Sequence, residues 1–80
     1  MALKTPYGKV TALSQVGEAV RAKRKADGLR QAEAAALCGV GTRFLSELEN
    51  GKGTVELAKV LAVLRGLGLD VTVCPRGGAG

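Results

Sequence analysis

Apolar residues recur along this chain with two different periods. Between Leu13 and Leu64 they fall three and four residues apart, as on helices with one apolar face, and from Leu69 to Val73 they alternate with period two. The first helix carries Leu13, Val16, Gly17 and Val20 as its stripe, and Arg24 continues that stripe one turn later. In the second, Ala34, Ala35 and Cys38 follow Gln31 at helical spacing, and in the third Leu45, Leu48 and Glu49 share a face. Gly39 stands where the second helix must stop, because glycine accepts the left-handed conformation that ends a helix, and Gly41 or Thr42 is the expected cap of the third. Val40 between them is the apolar residue that pins the turn to the core. Residues 30 to 52 are thus two short helices joined by a glycine-containing turn, a helix-turn-helix, and duplex DNA is the first partner this arrangement suggests.

The polar positions divide into those that point out and those that cannot. Thr42, Arg43, Ser46 and Glu47 lie opposite Leu45 and Leu48 on the third helix and are the candidate base readers. Arg43 is the first choice for a guanine, and Glu47 either accepts from cytosine or repels phosphate. Arg24 and Glu49, in contrast, fall on inward faces, where an unpaired charge is costly, so the two are expected to form an ion pair that ties helix 1 to the recognition helix over residues 42 to 49. Its expected role is orientation more than net stability.

These residues together resemble the Xre/Cro/cI-type helix-turn-helix proteins. The shared pattern is Arg24, Gly28, Leu29, Gln31, Glu33, Ala35, Gly39, Val40, Ser46, Glu49, Asn50 and Gly51, over roughly residues 14 to 67. The resemblance implies an all-α, lambda-repressor-like bundle of four to five helices in which Gln31, Asn50 and Lys52 hold phosphates, and in that family the pair formed here by Arg24 and Glu49 is usual. The chain departs from the pattern at Ala34, where leucine is usual, and at Gly41, where a serine usually caps the recognition helix. Arg43 and Phe44 are also bulkier than in many relatives.

After a helix expected over Thr54 to about Gly66, with Leu57, Val60, Leu61 and Leu64 as its stripe, comes a single strand at residues 69 to 75. One strand leaves backbone donors and acceptors unpaired. The economical partner is the same strand of a second subunit, antiparallel across a two-fold axis, with Leu69, Val71 and Val73 in the homodimer contact. A segment around Lys9 to Ala12 is the weaker alternative partner because it alternates poorly. The Gly-Leu-Gly-Leu-Asp-Val-Thr-Val-Cys ending looks like that of the HipB group of antitoxins, which dimerise through such a strand and hold a HipA-like serine/threonine kinase toxin. That resemblance implies an autoregulating toxin-antitoxin repressor. A stand-alone or phage-type repressor shares every DNA-facing residue, and a protein-interaction module that restrains an enzyme without binding DNA is the reading from another class.

Composition narrows the function further. Eighty residues make one domain, and a chain of this size hides only about 60% of its unfolded surface, so a second subunit would add useful burial. The net charge of +5 lies wholly within residues 1 to 30; residues 31 to 80 balance. With Arg24 turned inward, Arg21, Lys23, Lys25 and Arg30 remain as a solvent-facing basic group near the end of helix 1; Arg21 and Lys25 read equally well as a solvated face, while Arg30 at the start of helix 2 is a candidate phosphate contact. Aromatic residues make up 2%, too few for stacking on single-stranded bases, which favours duplex DNA over RNA. Histidine is absent, and Cys38 and Cys74 lack metal-ligand spacing, so no metal, cofactor or disulfide is expected. Ser46 and Thr42 have no base at a workable spacing, so no enzyme is expected. Without an apolar run of membrane-spanning length, the chain is expected in the cytoplasm. The expected organisation is an arm at 1–13, a helix-turn-helix domain at 14–68, a dimerisation strand at 69–75 and a flexible tail at 76–80.

Overall fold

The computed structural model describes residues 7, 8, 10, 12–52 and 56–76. The expectations of a flexible arm and tail fall largely outside the described residues, as do Lys9 and Thr11 of the alternative strand and the start of the last helix at Thr54. Four helices are present among the described residues: α1 (Leu13–Ala26), α2 (Gln31–Cys38), α3 (Thr42–Glu49) and α4 (Leu57–Gly66).

Each helix ends for a local reason. At the start of α2 the Arg30 backbone N–H donates to Glu33 Oε1 at 2.8 Å, half of a capping box. That hydrogen bond, with the Arg30 charge beside it, holds the Glu33 carboxyl below the ordinary carboxylate range. At the other end Gly39 adopts φ 74°, and its N–H donates to the Ala36 carbonyl while that of Val40 donates to Ala35, so the chain leaves α2 sharply. Gly41 then caps α3 in an extended conformation with no side chain to contribute.

The core is formed by Val20 of α1, Ala34, Ala35 and Cys38 of α2, Leu45 and Leu48 of α3, Val60 and Val63 of α4, and Leu67 just beyond it. Val20, Leu45 and Val63 are the largest fully buried side chains, each contributing roughly 1.5–3 kcal/mol by burial. α1 packs on α3, while α2 packs on both α3 and α4. The α1–α3 approach depends on Gly17, where a Cβ would run into the Leu48 backbone carbonyl. Gly17→Ala is therefore expected to destabilise the domain by about 1–3 kcal/mol, read as a lower denaturant midpoint at unchanged slope. An unchanged midpoint would show that α1 can slide aside without cost.

Two expectations about the C-terminal third need correction. The inward stripe of α4 is Val60, Val63, Leu64 and Leu67, whereas Leu57 and Leu61 are 65% and 38% exposed. The apolar positions of this helix cover more than one face, so spacing alone fits two overlapping stripes, and the contact with α2 selects the one containing Val63. Secondly, the chain contains no strand among the described residues. The Gly68 turn closes α4 through a Leu69 N–H to Leu64 carbonyl hydrogen bond of 2.8 Å. Residues 70 to 76 then run on exposed, with no strand pairing among the described residues. Strand hydrogen bonds need a second strand, and the described residues of one copy offer none.

Candidate nucleic-acid interface

α3 is fixed from below by Leu45 and Leu48, which are 0% and 3% exposed. Helical geometry then sends Thr42, Arg43 and Glu47 outward, all three exposed, with Ser46 half-buried beside them. The four candidate base readers thus share the outer side of one eight-residue helix.

The orientation of α3 relative to α1 and α2 is set by a buried polar network. Arg24 Nε donates to Glu49 Oε2 at 2.6 Å and Arg24 Nη2 donates to Glu49 Oε1 at 3.0 Å, a bidentate ion pair between residues that are each 8% exposed. Arg24 Nη1 also donates to the Leu29 carbonyl at 2.8 Å, so one guanidinium joins α1, the loop before α2, and the end of α3. The hydrogen bonds to Glu49 hold the Arg24 pKa above its ordinary value against the opposing effect of burial. No buried side-chain nitrogen or oxygen among the described residues is left without a partner, the condition under which a buried charge is tolerated.

The four candidate phosphate contacts surround this network unequally. Gln31, at the first position of α2, donates from Nε2 to Glu49 Oε1 at 3.1 Å, so it is the half-buried outer end of the network. Sequence spacing did not reveal this bond; the signal was only that Gln31 shares the inward stripe of Ala34, Ala35 and Cys38. Asn50 turns back and donates from Nδ2 to the Ser46 carbonyl at 2.9 Å, closing the end of α3. Arg30 is exposed and lies 3.6 Å from Glu33. Lys52 is exposed, and its backbone N–H donates to the Glu47 carbonyl at 2.9 Å, which places it at the C-terminal end of α3. Arg30 and Gln31 therefore begin α2, Asn50 and Lys52 follow α3, and the Gln31–Glu49 bond joins the two groups.

Phe44 of α3 is half-buried against the core, with Lys59 Nζ of α4 5.7 Å from its ring centroid. Cys38 is buried against Val63, and burial pushes its thiol pKa up, so it is kept protonated; Cys74 is exposed. Among the described residues no group of His, Cys, Asp and Glu is placed to hold a metal ion, and no helix is long and apolar enough to cross a membrane.

Comparison with known proteins agrees with this architecture. The profile of a helix-turn-helix domain family matches residues 15–75. An uncharacterised HTH-type transcriptional regulator, y4mF, of Sinorhizobium fredii (strain NBRC 101917 / NGR234) is 41% identical over 75 residues, spanning 94% of this chain and 90% of the relative. Among solved structures, a chain of a HipA-HipB-O2-O3 complex superposes with a TM-score of 0.76 at 26% identity, covering 88% of this chain and 99% of that one. A chain of a HipB-O4 20mer complex gives the same figures.

Proposed function

The chain belongs to the helix-turn-helix domain family, a non-enzymatic one, and on that premise we propose that it is a cytoplasmic transcriptional repressor that binds a palindromic duplex operator as a homodimer. The observation that carries the reading is the outer face of α3. Thr42, Arg43, Ser46 and Glu47 are turned away from a core that holds the opposite face rigid, beside Arg30, Gln31, Asn50 and Lys52. Two copies of α3 would enter successive major grooves about 34 Å apart, with the first four residues forming the side that faces the bases and the second four contacting phosphates.

Dimerisation is supported by what one copy leaves uncovered. Leu57 and Leu61 on α4 and Val71 and Val73 beyond it are exposed, Val73 by 93%. An antiparallel pairing of residues 69–75 about a two-fold axis would satisfy the backbone of that segment and cover these side chains. Deleting residues 69–75, or replacing Leu61 by glutamate, is expected to convert a particle of twice 8.2 kDa into a monomer at micromolar concentration, measured by sedimentation or light scattering. Both variants remaining dimers, each of twice its own chain mass, would rule out this interface.

The proposal extends to an antitoxin role. The chain shares its fold with HipB, which one of the solved structures holds together with HipA, and we assign it a HipA-like serine/threonine kinase as partner. The first experiment is a salt titration of binding to the DNA upstream of its own coding sequence and to a scrambled duplex of equal length. A preference that survives at physiological salt supports the repressor. Equal, salt-labile binding to both would reduce the reading to attraction between a chain of charge +5 and phosphate. Co-purification with the product of the adjoining gene then tests the antitoxin role, and its failure would leave a stand-alone repressor.

A further inference from the structure

We infer that Glu47 is a positioning residue for Arg43 and sets base preference through it, an inference that rests on the DNA-binding reading of α3. The two residues lie one helical turn apart on the outer face, with Arg43 Nε 3.4 Å from Glu47 Oε2. Their side chains are 92% and 48% exposed. No other hydrogen bond of Arg43 is found among the described residues, so both terminal Nη groups are available while Nε is held.

The pair is poorly placed to stabilise its own helix. Cations are favoured at helix C-termini and anions at N-termini, and an acidic residue four positions before a basic one is the better order for such a pair. α3 reverses both preferences, with Arg43 in its first turn and Glu47 near its end. It has no acidic residue in the first turn and no basic one in the last. The other three helices each carry at least one charge at the favourable end: Lys23, Arg24 and Lys25 in α1, Glu33 in α2, and Arg65 in α4. Helix stability therefore does not account for the arrangement.

Recognition does. An unrestrained arginine must lose side-chain freedom to place its fork on a guanine edge, and a carboxylate one turn away that fixes Nε reduces that loss before the encounter. Inside a groove, where water is partly excluded, the attraction that holds the pair strengthens. The guanidinium is then presented end-on, with its Nη groups directed at the O6 and N7 acceptors of one guanine. Glu47 acts on the base pair that Arg43 reads and needs no base of its own.

The test is selection of a randomised duplex pool by the purified full chain, with sequencing of the bound fraction. It is run on wild type, Arg43→Ala, Glu47→Ala, Glu47→Gln and the Arg43→Ala/Glu47→Ala double variant, and thermal melting confirms that each is folded. The wild type is expected to enrich a guanine at one base pair of each half-site, and Arg43→Ala to abolish that enrichment. Glu47→Ala is expected to reduce the preference at the same base pair roughly three- to tenfold, part of the discrimination that one bidentate contact commands. Glu47→Gln, which keeps an acceptor for Nε, retains most of it. In the Arg43→Ala background, removing Glu47 changes the profile no further. The inference is overturned if Glu47→Ala relaxes a different base pair, which would make Glu47 a reader itself. It is also overturned if affinity for all sequences rises with the profile unchanged, which would make Glu47 only a source of phosphate repulsion. A wild type that enriches no sequence rejects the DNA-binding reading and this inference together, an outcome distinct from both.

Discussion

Arg24→Ala is expected to lower the melting temperature by about 15–30 °C and to leave the domain largely unfolded under mild denaturant. The substitution strips Glu49, 8% exposed, of both guanidinium hydrogen bonds and leaves Gln31 as its remaining side-chain donor among the described residues. Leaving one charge of a buried pair uncompensated costs roughly 3–5 kcal/mol. The whole domain, at about 0.05–0.15 kcal/mol per residue, is held by only some 4–12 kcal/mol, and in a chain of this size each kcal/mol moves the melting point by about 4–8 °C. The exposed pair of Lys59 and Glu56, 2.9 Å apart, provides the internal contrast, since breaking it should cost about 0.5 kcal/mol or less. Replacing both buried partners, Arg24→Met with Glu49→Leu, should restore most of the loss because no orphaned charge remains. That double variant also separates stability from orientation. If the pair's value lies in aiming α3, the refolded double variant should bind operator DNA more weakly than its melting point implies. A single variant as stable as the wild type would contradict the burial argument.

The Arg24 and Glu49 positions illustrate what was legible in the sequence. Each interrupts an otherwise apolar stripe at helical spacing, and a charge in such a place has few alternatives to pairing across the interface. The end of α2 was legible for a local reason, because Gly39 takes the left-handed conformation that ends a helix, whereas the start of α3 could be narrowed only to Gly41 or Thr42 as its cap. α4 was harder to read. Its leucines and valines cover more than one face, so periodicity permitted Leu57 and Leu61 as core residues, and only packing against α2 turns Val63 and Leu67 inward. The strand expected at 69 to 75 is absent among the described residues, because alternation marks a segment able to pair and does not itself supply the hydrogen bonds of a second strand. Gln31 shows the limit for the site itself. Its place in the motif pointed to phosphate, but its bond to Glu49 depends on how α2 and α3 converge. Among the outward residues, spacing identified the face, and only the side-chain geometry showed that Arg43 and Glu47 form a pair.

Arg43→Ala and Lys52→Ala are expected to weaken DNA binding in opposite ways, and their contrast is the sharpest test of how the interface divides its work. Arg43 projects from the first turn of α3 and is almost wholly exposed, whereas Lys52 follows the helix, with its backbone fixed to the Glu47 carbonyl and its side chain exposed. Neither supports the core, so both variants should melt within about 0.5 kcal/mol of wild type. A residue that reads a base contributes to the operator and little to a scrambled duplex. Losing a bidentate guanine contact should therefore remove roughly 1–3 kcal/mol of discrimination, about 5- to 150-fold in the ratio of the two affinities. A residue that meets phosphate contributes to both duplexes alike. Lys52→Ala should reduce both affinities by a similar factor and lower the slope of log K against log salt by about one unit, because one fewer counterion is released. A paired salt titration of the two variants on both duplexes separates these patterns without a structure of the complex. If Lys52→Ala flattens the discrimination and Arg43→Ala lowers only the salt slope, α3 must approach the duplex by its C-terminal end, and the base-reading face would have to be reassigned to the turn that contains Asn50 and Lys52.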